Sequence, residues 1–242
     1  MTLFLNSLIK DSMKIVADNW PVDETDWPPI VAFSGGKDSI VMADLISKMP
    51  FAHVLHYYVS TIEPPDVVRF MRKHYPQVQF IKPIKTPEQL VRMKGILPTR
   101  HMRFCCTYLR EMRSPPGRTV FVGVRREESF GRRKTQAVRQ HSRKRTIVCP
   151  IIHWASDEIW AYIHDNKLPY PSIYDEGYKR TGCIGCPLIH RRLRERDFLR
   201  YPRVKQRWFK MAEYVYGVLK ENDRLRPEWD SVETYWEWWM DS

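Results

Sequence analysis

Short apolar runs alternate with stretches of helical spacing along most of the chain. Leu5, Leu8, Ile9, Met13 and Val16 fall near the helical period and predict an N-terminal helix. Residues 30–33 are a compact apolar run and predict a buried strand, after which Ile40, Val41, Leu45 and Ile46 return to helical spacing. Residues 53–59 read as a second strand. Pro64 and Pro65 suit a helix start whose buried face carries Val67, Val68 and Met71. Residues 78–81 predict a third strand, and helices follow at Pro87 and through MRFCCTYLREM. Residues 118–124 predict a fourth strand, and 146–152 a short strand or extended segment. Ser156, Asp157 and Glu158 then open a helix with Ile159, Trp160 and Ile163 inside.

Strand–helix alternation of this kind implies an α/β fold with a mostly parallel, doubly wound sheet and ligands at the carboxyl ends of its strands. Beyond His190 the pattern is helical and basic to about Asn222. The aromatic-rich tail after it has no clear period, and Trp229, Trp236, Trp238 and Trp239 read as packing or a partner surface. The expected organisation is a nucleotide-binding α/β domain over 1–188, which also holds the paired cysteines, and a basic, helical and aromatic extension over 189–242. No internal repeat or low-complexity linker separates them.

The first strand-to-helix join carries Ser34, Gly35, Gly36, Lys37, Asp38 and Ser39. Backbone N–H groups of a glycine-rich turn at a helix start form an anion cradle, strengthened by the helix dipole. Gly35 and Gly36 let the backbone approach the anion, Lys37 adds a point charge, and Ser34 and Ser39 add hydroxyl donors. Asp38 repels phosphate, so it binds Mg²⁺ or orients the loop. Lys37 and Asp38 are expected to project from a surface loop and to be needed for turnover, while the fold survives their loss. The plain alternative is an ordinary turn with a solvent lysine; six such residues between strand and helix favour the anion site. Arg125 and Arg126 follow the fourth strand and should emerge at the same sheet edge, where guanidinium groups suit bidentate phosphate contacts.

Charge widens the picture. The 242 residues carry a formal net charge of +12, with a pI near 9.5, which points to anionic partners. Residues 125–145 hold nine Lys/Arg against two acids, and residues 190–210 hold another nine against two. The second segment is interleaved with Phe198, Tyr201, Trp208 and Phe209. Basic residues with aromatics suit a DNA or tRNA backbone and stacked bases, or else a solvated helix face over a core. No run of about 18 apolar residues predicts a membrane span. The N-terminus lacks a basic lead and a small-residue cleavage site, so a cytoplasmic location is expected.

Five cysteines argue against a disulfide framework in such a location. Cys105 and Cys106 are adjacent, and Cys183 and Cys186 form a CxxC. Together they supply the four thiolates of a Cys₄ zinc site or a [4Fe–4S] cluster, or remain unligated. Cys149, within IVCPII, reads as a buried small hydrophobe.

SGGKDS in this context resembles the pyrophosphate loop of the adenine-nucleotide α-hydrolase-like enzymes. Within that group the chain resembles the phosphoadenosine phosphosulfate (PAPS) reductase family from about Ile30 to Leu188. STIEPPDVVRF, LPTRHMRFCC, GVRREES and the segment from WASDEIW to TGCIGCPL carry the resemblance. It implies a loop that binds ATP or a related adenine nucleotide, Arg125 or Arg126 on its phosphates, and Lys37 and Asp38 as catalytic residues. The CC and CxxC pairs resemble those of the [4Fe–4S] sulfonucleotide reductases and of the family's DNA-phosphorothioation enzymes. The reductases attack sulfur with a cysteine in a C-terminal ECG-type motif, and here no cysteine follows Cys186. What the resemblance then implies is an ATP pyrophosphatase in sulfur transfer, with nucleic acid as acceptor and sulfur arriving through the cluster or a donor protein. The alternatives are an assimilatory APS or PAPS reductase and a non-catalytic nucleotide- or nucleic-acid-binding subunit.

Overall fold

The computed structural model describes residues 3–21, 28–111, 113–141 and 144–242. In chain order its elements are α1 (Leu3–Asp18), β1 (Ile30–Ala32), α2 (Lys37–Ser47), β2 (Val54–Tyr58), α3 (Pro65–His74), β3 (Gln79–Ile81) and α4 (Pro87–Lys94). There follow the single turn α5 (Phe104–Cys106), β4 (Thr119–Val122), β5 (Val138–His141), β6 (Arg145–Val148), α6 (Ser156–Asp165), α7 (Arg191–Arg200), α8 (Pro202–Glu221) and α9 (Val232–Asp241). No helix among the described residues is long and apolar enough to cross a membrane.

The chain divides into two compact units, the first drawn from Met1–Tyr57, Pro65–Ile81 and Ser114–Thr181. Its six-stranded sheet has the order β3-β2-β1-β4-β6-β5. β1 runs parallel to β2 and β4, setting Val31 beside Leu55 and Phe121. β4 runs parallel to β6, while β5 is an antiparallel edge strand on β6. Ile30, Val31 and Phe121 are buried, as central strands of a sheet covered on both faces must be. α2 buries Ile40, Val41, Leu45 and Ile46, and α6 buries Ile159 and Ile163, so the expected periods hold. The strand expected over 118–124 stops at Val122, and the one over 146–152 at Val148. β5 is absent from the sequence reading because Val138-Arg139-Gln140-His141 has no apolar alternation; an edge strand with one partner and a solvated side does not need it.

The second unit gathers Tyr58–Pro64, Lys82–Arg113 and Gly182–Ser242. This division differs from the boundary expected at 188–189, because α7–α9 share one apolar core with the segments around Ile62, Val91 and Leu97. Trp208 and Trp239 stack in that core with centroids 5.0 Å apart. Their indole N–H groups donate to the carbonyls of Ile184 at 3.0 Å and Pro98 at 2.8 Å, which removes the cost of burying them. The tail is helical, its start capped by Ser231 Oγ accepting from Thr234 N at 3.2 Å. The expected helix through MRFCCTYLREM is one α turn followed by a π turn over Thr107–Glu111; Met112 lies outside the described residues.

Candidate functional site

β1 delivers the chain into the 34–39 join at its carboxyl end, and α2 starts at Lys37. Gly35 has φ +71°, and a Cβ there would sit 2.7 Å from Met71 Cγ, so glycine is required on both counts. A Cβ on Gly36 would lie 2.6 Å from Thr181 Oγ1. The serines brace the loop from within. Ser34 N donates to Ser39 Oγ at 3.1 Å, Gly36 N to Ser34 Oγ at 3.3 Å, and Ser39 Oγ to Gly36 O at 2.8 Å.

Two residues that sequence reasoning missed complete the loop. Tyr174 OH accepts the Lys37 N–H at 3.0 Å and is hydrogen-bonded to Thr181. Burial, with the charge of Asp38 adding to it, pushes this phenol up to about 12. Both lie in the PSIYDEGYKRTGC stretch, whose signal was family resemblance alone; nothing in its spacing marks a loop partner.

The expectation that Lys37 projects from a surface loop is corrected: Lys37 is 5% exposed. Its Nζ lies 3.0 Å from both Asp38 carboxylate oxygens. Arg125, 3% exposed, donates from Nε to Asp38 Oδ1 at 2.6 Å and from Nη1 to Glu127 at 2.7 Å and the Trp154 carbonyl at 3.1 Å. Burial alone would lower the Arg125 pKa, but Asp38 and Glu127 outweigh it and raise it, so the guanidinium stays charged. Asp38 between two cations is a positioning carboxylate for this pair. Arg126 turns elsewhere: its Nε donates to Thr135 O at 3.0 Å, and Nη1 lies 3.5 Å from His153 Nδ1. The structure thus brings Arg125 to the loop and directs Arg126 to the 135 turn.

In the second unit, Cys105, Cys106, Cys183 and Cys186 line one cavity of about 20 Å³ with Leu109, Arg110 and Trp208. Ser60 Oγ lies 3.4 Å and Arg110 Nη2 3.2 Å from Cys183 Sγ. The hydrogen bond to Cys106, burial and the neighbouring thiol charges raise Cys105, whereas that same bond, with Arg110 and Arg103, lowers Cys106. Among the described residues no three of His, Cys, Asp or Glu are disposed around a single metal ion. Four soft sulfurs facing one cavity, with cationic and hydroxyl neighbours, fit a thiolate-ligated iron–sulfur cluster by donor chemistry. Cys149 is fully buried in the first unit, as expected.

The basic segment 190–210 is less open than its composition implies. Arg191 is held by Glu195 at 2.9 Å, Asp241 at 2.8 Å and Glu237. Arg194, 1% exposed, donates to Trp239 O at 2.9 Å and Ser242 O at 3.0 Å. Phe198 and Trp208 are buried, and Tyr201 and Phe209 pack on the same core. The interleaved aromatics are therefore core, not a base-stacking platform, because helical spacing turns them inward. In segment 125–145, Arg143 lies outside the described residues.

A family model for the phosphoadenosine phosphosulfate reductase domain matches residues 28–189. The chain belongs to this family. Its match spans the 34–39 loop, both arginines and all four paired cysteines. An adenosine 5'-phosphosulfate reductase of Oceanobacillus iheyensis is 32% identical to this PAPS reductase-family chain over 168 residues, covering 65% of this chain and 70% of that protein. The crystal structure of PAPS reductase from Candida auris, a phosphate complex, has a TM-score of 0.51 at 18% identity, covering 76% of this chain and 96% of that one. FMN adenylyltransferase from Candida glabrata with FAD and inorganic pyrophosphate also scores 0.51, at 14% identity, covering 75% and 64%. These two likenesses are of fold alone.

Proposed function

We propose that this PAPS reductase-family enzyme binds ATP at the 34–39 loop, cleaves it between the α- and β-phosphates, and activates a nucleic-acid acceptor for sulfur. The observation that carries the reading is the fate of the chain after Cys186. Residues 187–242 hold no cysteine, and the last helix is spent on the core, with Trp239 and Met240 buried. Attack on the sulfur of a sulfonucleotide needs a thiolate free to reach it, and this segment offers none. Activation by ATP needs no such thiol. An acceptor oxygen attacks the α-phosphorus and pyrophosphate leaves; a sulfur nucleophile from a donor protein then displaces AMP.

The chain's own residues serve the first step. The loop amides and the α2 dipole hold phosphate oxygens, Lys37 offsets their charge, and Asp38 fixes Arg125 beside them; Mg²⁺ accompanies the phosphates. Cys105, Cys106, Cys183 and Cys186 would hold a [4Fe–4S] cluster, which supplies iron–sulfur chemistry for handling sulfur when bound. The reading puts the protein in the cytoplasm, where thiols stay reduced.

A second reading, an assimilatory APS or PAPS reductase, is favoured by the name of the Oceanobacillus relative and would take its thiol from a partner. Anaerobically purified protein separates the two. Pyrophosphate release from ATP, without sulfite from APS or PAPS plus thioredoxin, is the expected result; sulfite without pyrophosphate overturns the proposal in favour of reduction.

A further inference from the structure

We infer that the turn from Phe130 to Thr135 and the edge strand β5 form a binding surface for a single-stranded polynucleotide, with Phe130 as its stacking ring. The inference rests on the nucleic-acid acceptor proposed above and assigns that acceptor a place on the first unit.

Phe130 is 82% exposed, although it lies in a short 3₁₀ turn, Phe130–Arg132, anchored by backbone bonds from Arg132 N to Ser129 O at 3.0 Å and from Thr135 N to Arg132 O at 2.9 Å. A phenyl ring held in water by an ordered turn gains nothing for folding. The guanidinium of Arg133 lies 5.2 Å from its ring centroid, so the ring carries a cation on one side.

The surroundings are cationic without relief. Arg133, Lys134, Arg139 and Lys144 are exposed. No acidic residue occurs between Glu128 and Asp157. The two acids before the turn are engaged: Glu127 with Arg125 at 2.7 Å, and Glu128 with Arg132 and with Arg125 N at 3.0 Å. β5 closes the sheet at this end, and both Arg139 and Gln140 on it are exposed. A polyanion is the partner this charge complements.

The exposed ring selects the strandedness. Bases of a duplex are already stacked on one another, whereas an unpaired base offers a free face to an aromatic side chain. The described residues of segment 125–145 also form no recognition helix of the kind that reads a major groove. Segment 190–210 has comparable charge but no such ring, since Phe198 and Trp208 are buried.

The test is fluorescence anisotropy with labelled single-stranded DNA, single-stranded RNA and duplex DNA at several salt concentrations. Wild-type protein is expected to bind a single strand, of either sugar, more tightly than duplex. Phe130→Ala should weaken that binding about tenfold, and Phe130→Trp should restore it, since stacking on one side chain contributes on that order. Arg133→Gln with Lys134→Gln should reduce the log–log salt slope by about 1.4, at about 0.7 per phosphate contact. Arg203→Gln with Lys210→Gln on α8 should leave affinity within about twofold. No binding at low salt, equal or tighter binding of duplex, an unchanged Phe130→Ala affinity, or a larger loss from the α8 pair overturns the surface. So does capture of an acidic protein segment in place of every oligonucleotide. Pyrophosphate release from ATP is read separately: its absence with oligonucleotide binding intact removes the proposed chemistry and leaves the surface standing.

Discussion

Arg125 Nε lies 2.6 Å from Asp38 Oδ1, tying the join after β4 to the join after β1. Asp38 also faces Lys37 Nζ at 3.0 Å, and the side chains of Lys37 and Arg125 are 6% and 4% exposed. Asp38→Ala leaves two buried cations short of their shared carboxylate, and breaking a buried pair from one side costs about 3 kcal/mol. The variant should lose that much in urea unfolding as well as losing ATP turnover. Asp38→Asn keeps the shape and should recover part of the stability but not the turnover. An Asp38→Ala protein with a wild-type midpoint would show that the pair does not hold the loop.

Tyr174 OH holds the Lys37 N–H, a donor that phosphate would also need under the proposed nucleotide binding. Tyr174→Phe leaves that amide without its phenol partner, at a cost of about 1 kcal/mol to the ligand-free protein. Nucleotide then repairs the loss, so ATP and pyrophosphate should bind several-fold more tightly while the melting temperature without ligand falls. Calorimetric titration decides it: affinity unchanged or weaker in Tyr174→Phe means phenol and phosphate do not share the amide.

These pairs mark how far the sequence could be read. The strand, glycine turn and helix of the loop are contiguous, so their residues are legible together, as are the buried periods of α2 and α6. Asp38 and Arg125 are separated by 87 residues, and Lys37 and Tyr174 by 137; which residue meets which is settled by sheet order, and no local pattern carries that. The same limit left Arg125 and Arg126 indistinguishable, whereas one donates to Asp38 and the other to Thr135 O. In the tail, Trp236 and Trp239 are buried together with Tyr235 and Met240, but the core they enter is built from segments far apart in the chain, which no local period announces.

Arg192 and Arg194 look alike in HRRLRERD and differ in the structure. Arg192 is exposed, whereas Arg194 is buried and donates to two carbonyl oxygens of the C-terminal segment. Arg194→Glu puts a buried negative charge against those oxygens and should unfold the second unit, seen as loss of near-ultraviolet tryptophan dichroism. Arg192→Glu should shift stability by no more than about 0.5 kcal/mol. Equal effects of the two substitutions would contradict the burial of Arg194.

The cysteines give the most direct measurement. If the four thiols that share one cavity hold a single [4Fe–4S] cube, protein purified without oxygen should be brown and carry about four irons per chain. Replacing any of Cys105, Cys106, Cys183 or Cys186 by serine should lose the iron, because a hard hydroxyl is a poor substitute for thiolate on iron. Cys149→Ser is the internal control. Burial pushes its thiol up to about 11, so it is protonated near neutral pH, and it belongs to the first unit, whereas the other four belong to the second. Iron should survive that change in full. Inductively coupled plasma analysis with Mössbauer spectroscopy distinguishes the outcomes, and one tightly bound zinc with no iron in an anaerobic preparation would replace the cluster with a Cys₄ zinc site.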